Sequence, residues 1–422
     1  TGGFIGSFAE IKINNGLIDS LNIPKGGSYD LQGSLKTNLI APKPLQLLKA
    51  RWEFQDANWF ADFPTSARQV IEFYTDSGGP SVDGVIAINA TYISKLLGLL
   101  GPIEMPEYSR IINEKNFLFE SQKIVELEYN KKENEPKKFI GDLAPKLLAK
   151  VIKKSSNDFL DLADLLGSGL ATKEIQIYLQ DENLQEDILK QGWGGAIKRT
   201  EGDYLMIVNT NLGGGKTDGV MTEDININVN MQTNGSIVNT VTIKRTHHGK
   251  PNALFSGVNN VNYLRLNIPK KSKLIHATGF SEPDSSLFES PNPKWTIDDD
   301  LYYSLANSTK HLQSNTDVME ESGKTVLGNW VQTSPGETSI VKFTYELPFK
   351  INEEGQETAI DAIKKIVGVK KHDRYTMIIQ KQSGVINRQT NINLQYPKNK
   401  KILWSSDNLN NLVVSNESDA FV

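Results

Sequence analysis

The chain has 422 residues, with 46 Lys and Arg against 50 Asp and Glu, a net charge of −4 and no cysteine. That length supports two or three domains with proper cores, and the charge balance excludes the basic footprint of a general nucleic-acid binder. The absence of cysteine excludes disulfides, thiolate zinc sites and cysteine nucleophiles, and it fits an exported bacterial protein.

The chain opens on "TGGFIGSF", inside a strand-like run, so we expect the natural N-terminus and any anchor upstream of Thr1. Phe4 to Ile13 and Leu17 to Ile23 read as strands joined at Asn15-Gly16, a hairpin signal. Tyr29 to Pro44 is polar, carries proline and reads as a loop. Thr65 to Thr75 is a predicted helix, with Ala67, Val70, Ile71 and Tyr74 on one face and Ser66 with Gln69 as a capping box. "VDGVIAIN" (82–89) reads as a buried strand feeding a helix with Ile93, Leu96, Leu97 and Leu100 on one side, capped by Asn89. "GPIEM" returns as a strand, and 143–152, 159–166 and 184–189 as helices, with a strand at 174–179. Alternating strands and helices predict an α/β layered domain over 1–215.

Beyond that point the helix signal nearly vanishes. Residues 225–231, 237–243, 263–268, 341–347, 375–380 and 392–396 alternate apolar and polar, with Asn234-Gly235 as a hairpin turn. One helical stretch, 357–367, interrupts. The span 216–422 is therefore expected to be an all-β, antiparallel, sandwich-like region of one or two modules.

"NTNLGGGKTDG" sits at the handover. It resembles a phosphate-cradling loop, but position 210 is Thr where that loop needs glycine, and a strand rather than a helix follows. We read it as a turn whose glycines supply positive φ or close backbone approach, with Lys216 solvated.

The five histidines lack metal-ligand spacing, and His247-His248 on a strand face opposite ways. Asp298-Asp299-Asp300 lacks the calcium-loop pattern and reads as a solvated acidic turn. The densest polar cluster is "ARWEFQDANWFADFPTSARQ" (50–69), where Arg51, Asp56, Asn58, Asp62 and Arg68 lie among aromatic residues. Arginines beside carboxylates at a helix start suit phosphate. The competing reading is a structural loop whose Asp and Asn cap the helix while the aromatics fill core.

"TGGFIGSFAEI", "DANWFADFPTSA" and "VDGVIAINATYISKLLGLLGPIEM", with "NTNLGGGKTDG", "YLRLNIP", "TSPGETSIVKFTYELP" and "IIQKQSG" further on, resemble the DUF4012 family of bacterial envelope proteins. The first domain is also distantly similar to LytR-CpsA-Psr phosphotransferases, which move a glycopolymer from a polyprenyl-pyrophosphate carrier to the wall. Ile23-Pro24-Lys25-Gly26 stands where those enzymes have Ile-Pro-Arg-Asp, so the bidentate arginine fork and the aspartate are gone. The resemblance implies a membrane-anchored protein on the extracytoplasmic side of the bacterial cell envelope. Its role is then non-catalytic binding of lipid-linked or wall glycan, or assembly. The alternative is a phosphotransferase, with Asp56 and Asp62 as catalytic candidates and Lys25, Arg51, Asn58 and Arg68 as ligand-binding candidates. Mg2+ enters only under that alternative; no residue is assigned to metal and no nucleic-acid partner is expected.

Overall fold

The computed structural model describes residues 2–153, 159–306, 308–351 and 374–405, and the strand 412–416. The expected helix at 357–367 and His372 lie outside the described residues. No described helix is long and apolar enough to cross a membrane.

The first half mixes helices and strands in the order β1 (Glu10–Asn14), β2 (Leu17–Asn22), α1 (Phe63–Asp76), β3 (Gly84–Ile88), α2 (Ala90–Leu100), β4 (Ile103–Met105), β5 (Arg110–Ile112), α3 (Phe117–Lys123), α4 (Lys138–Ile152), α5 (Phe159–Ala171), β6 (Ile175–Leu179) and α6 (Glu182–Lys190). Its strands form three separate antiparallel ribbons, β1-β2, β3-β6 and β4-β5, rather than one layered sheet. The run 84–88 is apolar enough to suggest burial on both faces, but Ile86 and Ile88 point outward and are more than half exposed. Residues 4–9 are not part of the strand, which begins at Glu10, and the expected loop at 29–44 carries short 3-10 turns.

Helix α1 starts where expected but not by the expected cap. Asp62 is the N-cap, accepting from the Thr65 N–H at 3.2 Å, while Ser66 Oγ donates to the Phe60 carbonyl. A carboxylate one turn earlier competes better for the free N–H groups. Asn89 precedes α2 but makes no side-chain cap; its Nδ2 donates to Ser383 Oγ at 3.0 Å.

The second half holds β7 (Asp203–Asn211), β8 (Met221–Met231), β9 (Ser236–His247), β10 (Asn260–Pro269), β11 (Lys273–Thr278), α7 (Asp299–Ala306), β12 (Thr309–His311), β13 (Thr316–Glu321), β14 (Lys324–Thr333), β15 (Thr338–Lys350), β16 (Met377–Gln380), β17 (Arg388–Tyr396) and β18 (Leu412–Asn416). They make two open six-stranded sheets, β12-β13-β14-β10-β7-β16 and β11-β15-β9-β8-β17-β18. Pairing is mostly antiparallel; β16 on β7 and β17 on both β8 and β18 are parallel. Ile207, Leu264, Leu266 and Leu327 of the first sheet share one core with Ile227, Val241, Ile243 and Phe343 of the second.

The two sheets differ in what covers their outer faces. β8 alternates buried and half-exposed residues throughout, as a strand with one solvated face must. β10 and β14 are buried along almost their whole length. Their second face packs on the first half: Trp59 stacks on Tyr263 at 6.2 Å, and the Arg265 guanidinium lies 4.2 Å over Trp59. β7, whose YLMIV run reads as the last strand of the α/β half, hydrogen-bonds between β10 and β16 and is a sandwich strand.

Candidate functional site

A cleft of about 900 Å³ is lined by residues of both halves. One wall comes from 26–33 and from Lys49, Arg51 and Glu53. Glu289 and Trp295 of the β half lie at that same wall, and further lining comes from 125–137 and from Lys216 of the glycine loop.

Local structure explains each wall. Arg51 bridges Ile40, whose N–H reaches the Thr296 carbonyl at 2.8 Å. That three-way pairing sets Trp295 beside Arg51. Glu289 accepts the Ala50 N–H at 2.9 Å, pinning the 289–295 segment to the same edge. Helix α3 runs into a π-helical turn, Ile124–Glu128, that brings Val125 and Glu126 to the cleft. Gly27, at φ +66, admits the Lys137 stem: a Cβ there would lie 2.6 Å from Lys137 Cγ and from the Gly6 carbonyl oxygen.

The acids of the cleft are largely committed. Asp30 accepts the Gly26 N–H and Glu53 the Gly33 N–H. Glu53 also pairs with Arg51 at 3.4 Å, and Arg51 Nη2 donates to the Leu35 carbonyl at 2.6 Å. The lysines are not. Among the described residues no carboxylate lies within ion-pair distance of Lys49 or Lys137, and Lys216 meets only Glu126, at 3.9 Å. Tyr29, Tyr129, Phe4 and Trp295 supply aromatic surface beside them. Positive heads without partners next to aromatic rings suit a ligand with anionic groups and flat apolar faces.

The six residues singled out in the sequence do not converge. Arg51 lines the cleft. Asp56 sits behind that wall, within electrostatic reach of Lys49 and Tyr29. Asn58 uses its carbonyl to accept the Gly2 N–H at 2.7 Å, holding the N-terminal segment. Lys25 points away, toward Glu135 at 3.2 Å, with its side chain 58% exposed. Asp62 caps α1 with one oxygen and accepts the Ile197 N–H with the other. Arg68 lies along α1 and faces Asp300 at 3.7 Å, beside a separate small cleft that Asp300 and Thr65 line. Sequence reasoning missed Lys49 and Lys137; Lys216, read as a solvated turn residue, is exposed as expected, its side chain 54% accessible, and it also lines the cleft. Lys137 stands in "NEPKKF", which reads as a charged surface run, and only the fold turns it inward.

The glycine loop holds itself. Gly214 fits where a Cβ would meet the Val261 nitrogen at 2.7 Å and the Asn259 oxygen at 2.8 Å. The Lys216 N–H goes to the Phe255 carbonyl, and Thr217 Oγ1 donates to the Gly214 carbonyl. The loop joins strand β7 to strand β8 and contributes a side chain, not a backbone cradle. His247 and His248 do face opposite ways: buried His247 accepts the Gly249 N–H on Nδ1, so its Nε2 donates to the Val258 carbonyl, while His248 meets Thr222. Among the described residues no group of three His, Asp or Glu side chains gathers for a metal.

Burial first, then Glu53, pushes the Asp56 carboxyl up to about 6, against the pull of Lys49. Its folded pKa exceeds its unfolded one, so Asp56 lowers stability as pH rises from about 4 through 6, by about 2–3 kcal/mol when complete. Asp56→Asn is therefore expected to be more stable than the parent at pH 7.5 and level with it at pH 4. Urea unfolding at both values checks this, and equal stability at pH 7.5 counts against it.

Fold and cleft define a class: a mixed α and β half docked on an open β-sandwich, with a cleft between them lined by charged side chains of both signs and by aromatic rings. Residues 1–122 match the model of the DUF4012 family, described as a protein of unknown function. The family resemblance read in the sequence is thus shown over that segment, which supplies the Arg51 wall of the cleft. No curated protein matches the chain.

Proposed function

We propose that this protein is a bacterial cell-envelope protein, held outside the cytoplasm by an N-terminal anchor, whose cleft binds a wall or lipid-linked glycan without transferring it. One observation carries the reading: among the described residues no carboxylate lies within ion-pair distance of Lys49 or Lys137, and both line one cleft with Tyr129 and Trp295. Sugar rings stack their C–H faces on aromatic rings, and acidic substituents take the amines. The resemblance to LytR-CpsA-Psr phosphotransferases that we read in the sequence of the first half motivates a glycan over other anions. The commitment of Asp62 supports binding over transfer, since both its oxygens already accept backbone hydrogen bonds.

Isothermal titration with purified wall glycan tests this. The parent is expected to bind, and a Lys49→Ala, Trp295→Ala double variant to bind about 10–100-fold more weakly, the loss of one charged contact and one ring. Binding unchanged in a folded double variant, or no binding by the parent, counts against the reading. The phosphotransferase reading is favoured by one feature, the raised Asp56 carboxyl near Tyr29. It requires Asp56→Asn to abolish glycan transfer in an assay with lipid-linked substrate and Mg2+.

A further inference from the structure

Two amines from distant parts of the chain lie against the N-terminal segment, at Phe4 and at Gly6. Lys216 Nζ lies 5.8 Å from the centre of the Phe4 ring, and Lys137 Nζ lies 3.7 Å from where a Cβ on Gly6 would stand. Lys137 is presented by the turn before α4, its N–H held by the Lys25 carbonyl at 2.7 Å and its stem packed on Gly27. Lys216 is presented by the self-closed glycine loop. Both positions are thus set by backbone rather than by the amines' own contacts.

Charge does not balance there. Glu126 is the acid that acts on both amines, 3.9 Å from Lys216, and it is shared with Gln122. Asp30 and Glu53 in the same cleft are bound by backbone N–H groups. Burial first, then repulsion from Lys216, holds the Lys137 amine down to about 8, with Glu126 opposing. Lys137 is part-buried, Lys216 is exposed, and the two neighbouring cations repel each other across one shared carboxylate, a repulsion that a bound anion relieves. A group with several acceptor oxygens and up to two charges matches two neighbouring ammonium heads better than a single carboxylate does.

We propose that Lys137 and Lys216 form a phosphate subsite within the cleft, so that the glycan it takes carries phosphate groups. This rests on the glycan-binding reading and adds the chemistry of the substituent. The groups facing Lys137 are Lys216 from the loop, Glu126 and Tyr129 from the π-helical turn and its exit, and Tyr29 and Asp30 from the short helix 27–31.

Competitive acetylation of the lysines across pH, read by peptide mass spectrometry, gives the titration midpoint of Lys137 directly. Without phosphate the midpoint is expected near 8. Inorganic phosphate, against chloride at equal ionic strength, is expected to raise it by about one unit. Lys216→Gln is expected to raise it without phosphate and to remove most of the phosphate response. Equal midpoints in phosphate and chloride overturn the subsite. A second arm compares phosphorylated wall glycan with the same glycan stripped of phosphate by hydrofluoric acid. The parent is expected to bind the phosphorylated form at least ~10-fold more tightly, and Lys216→Gln to bind both alike. Equal binding of both forms by the parent overturns the phosphate assignment and leaves the glycan reading standing. A phosphate shift of Lys137 with no binding of either glycan supports the subsite and removes the glycan reading.

Discussion

Replacing Glu223 by Gln is expected to cost about 3–5 kcal/mol of folding stability, the largest loss from any single change considered for this chain. Glu223 is buried on β8 and joins four strands. Its Oε1 accepts from Arg245 Nε of β9 at 2.9 Å and from Asn209 Nδ2 of β7 at 2.7 Å. Its Oε2 accepts from Arg388 Nε of β17 at 2.8 Å. Burial alone would push its carboxyl up, but Arg388 and then Arg245 outweigh it and hold it below the usual carboxylate range. The stability this supplies is present above the unfolded pKa and is lost as pH falls through the lowered folded value. Glutamine keeps the shape but leaves Arg245, 1% exposed, and Arg388 without their counter-charge. Urea unfolding at pH 7 measures the effect; a loss under about 1 kcal/mol would show that water or rearrangement compensates the arginines.

Trp52→Ala is expected to cost nearly as much, about 3–5 kcal/mol. Trp52 is fully buried. Its ring meets Phe73 of α1 edge-on at 5.3 Å and Phe60 at 6.1 Å, and its indole N–H donates to the Asp56 carbonyl at 3.1 Å. It also follows Arg51 in the segment that forms the cleft wall. The truncation therefore leaves a cavity and an unpaired carbonyl, and it loosens the site. Trp52→Phe, which keeps most of the ring contacts, is expected to lose less than half as much. Thermal unfolding separates the two, and equal losses would mean that ring packing is not the source.

Those two residues show what the sequence made legible. Trp52 lies in an aromatic cluster whose spacing around a helix start announced core packing, and α1 formed one turn away. The strands 225–231, 237–243 and 341–347 follow their period-two pattern because one face of their sheet is solvated. β7 and β14 gave less signal because both their faces are covered, and a continuous apolar run does not say which half covers it. The ribbon β3-β6 misled in the opposite sense, its apolar run leaving Ile86 and Ile88 exposed. The candidate site was legible only through Arg51 and the neighbouring Asp56. Its lysines come from positions 49, 137 and 216, each unremarkable in its own neighbourhood, and a cleft assembled over such separations leaves no local motif. Asp62 and Arg68 drew notice by standing near Asp56 in sequence, yet they serve the cap and face of α1.

The central claim is that the cleft between the halves is where a glycan binds. Hydroxyl-radical footprinting of the protein with and without saturating wall glycan tests it most directly. Protection of Tyr129 and Trp295 is expected on glycan addition, while Tyr303 and Trp404, 72% and 80% exposed, stay as reactive as before. Protection centred on Tyr303 or Trp404, with the cleft rings unchanged, would contradict it.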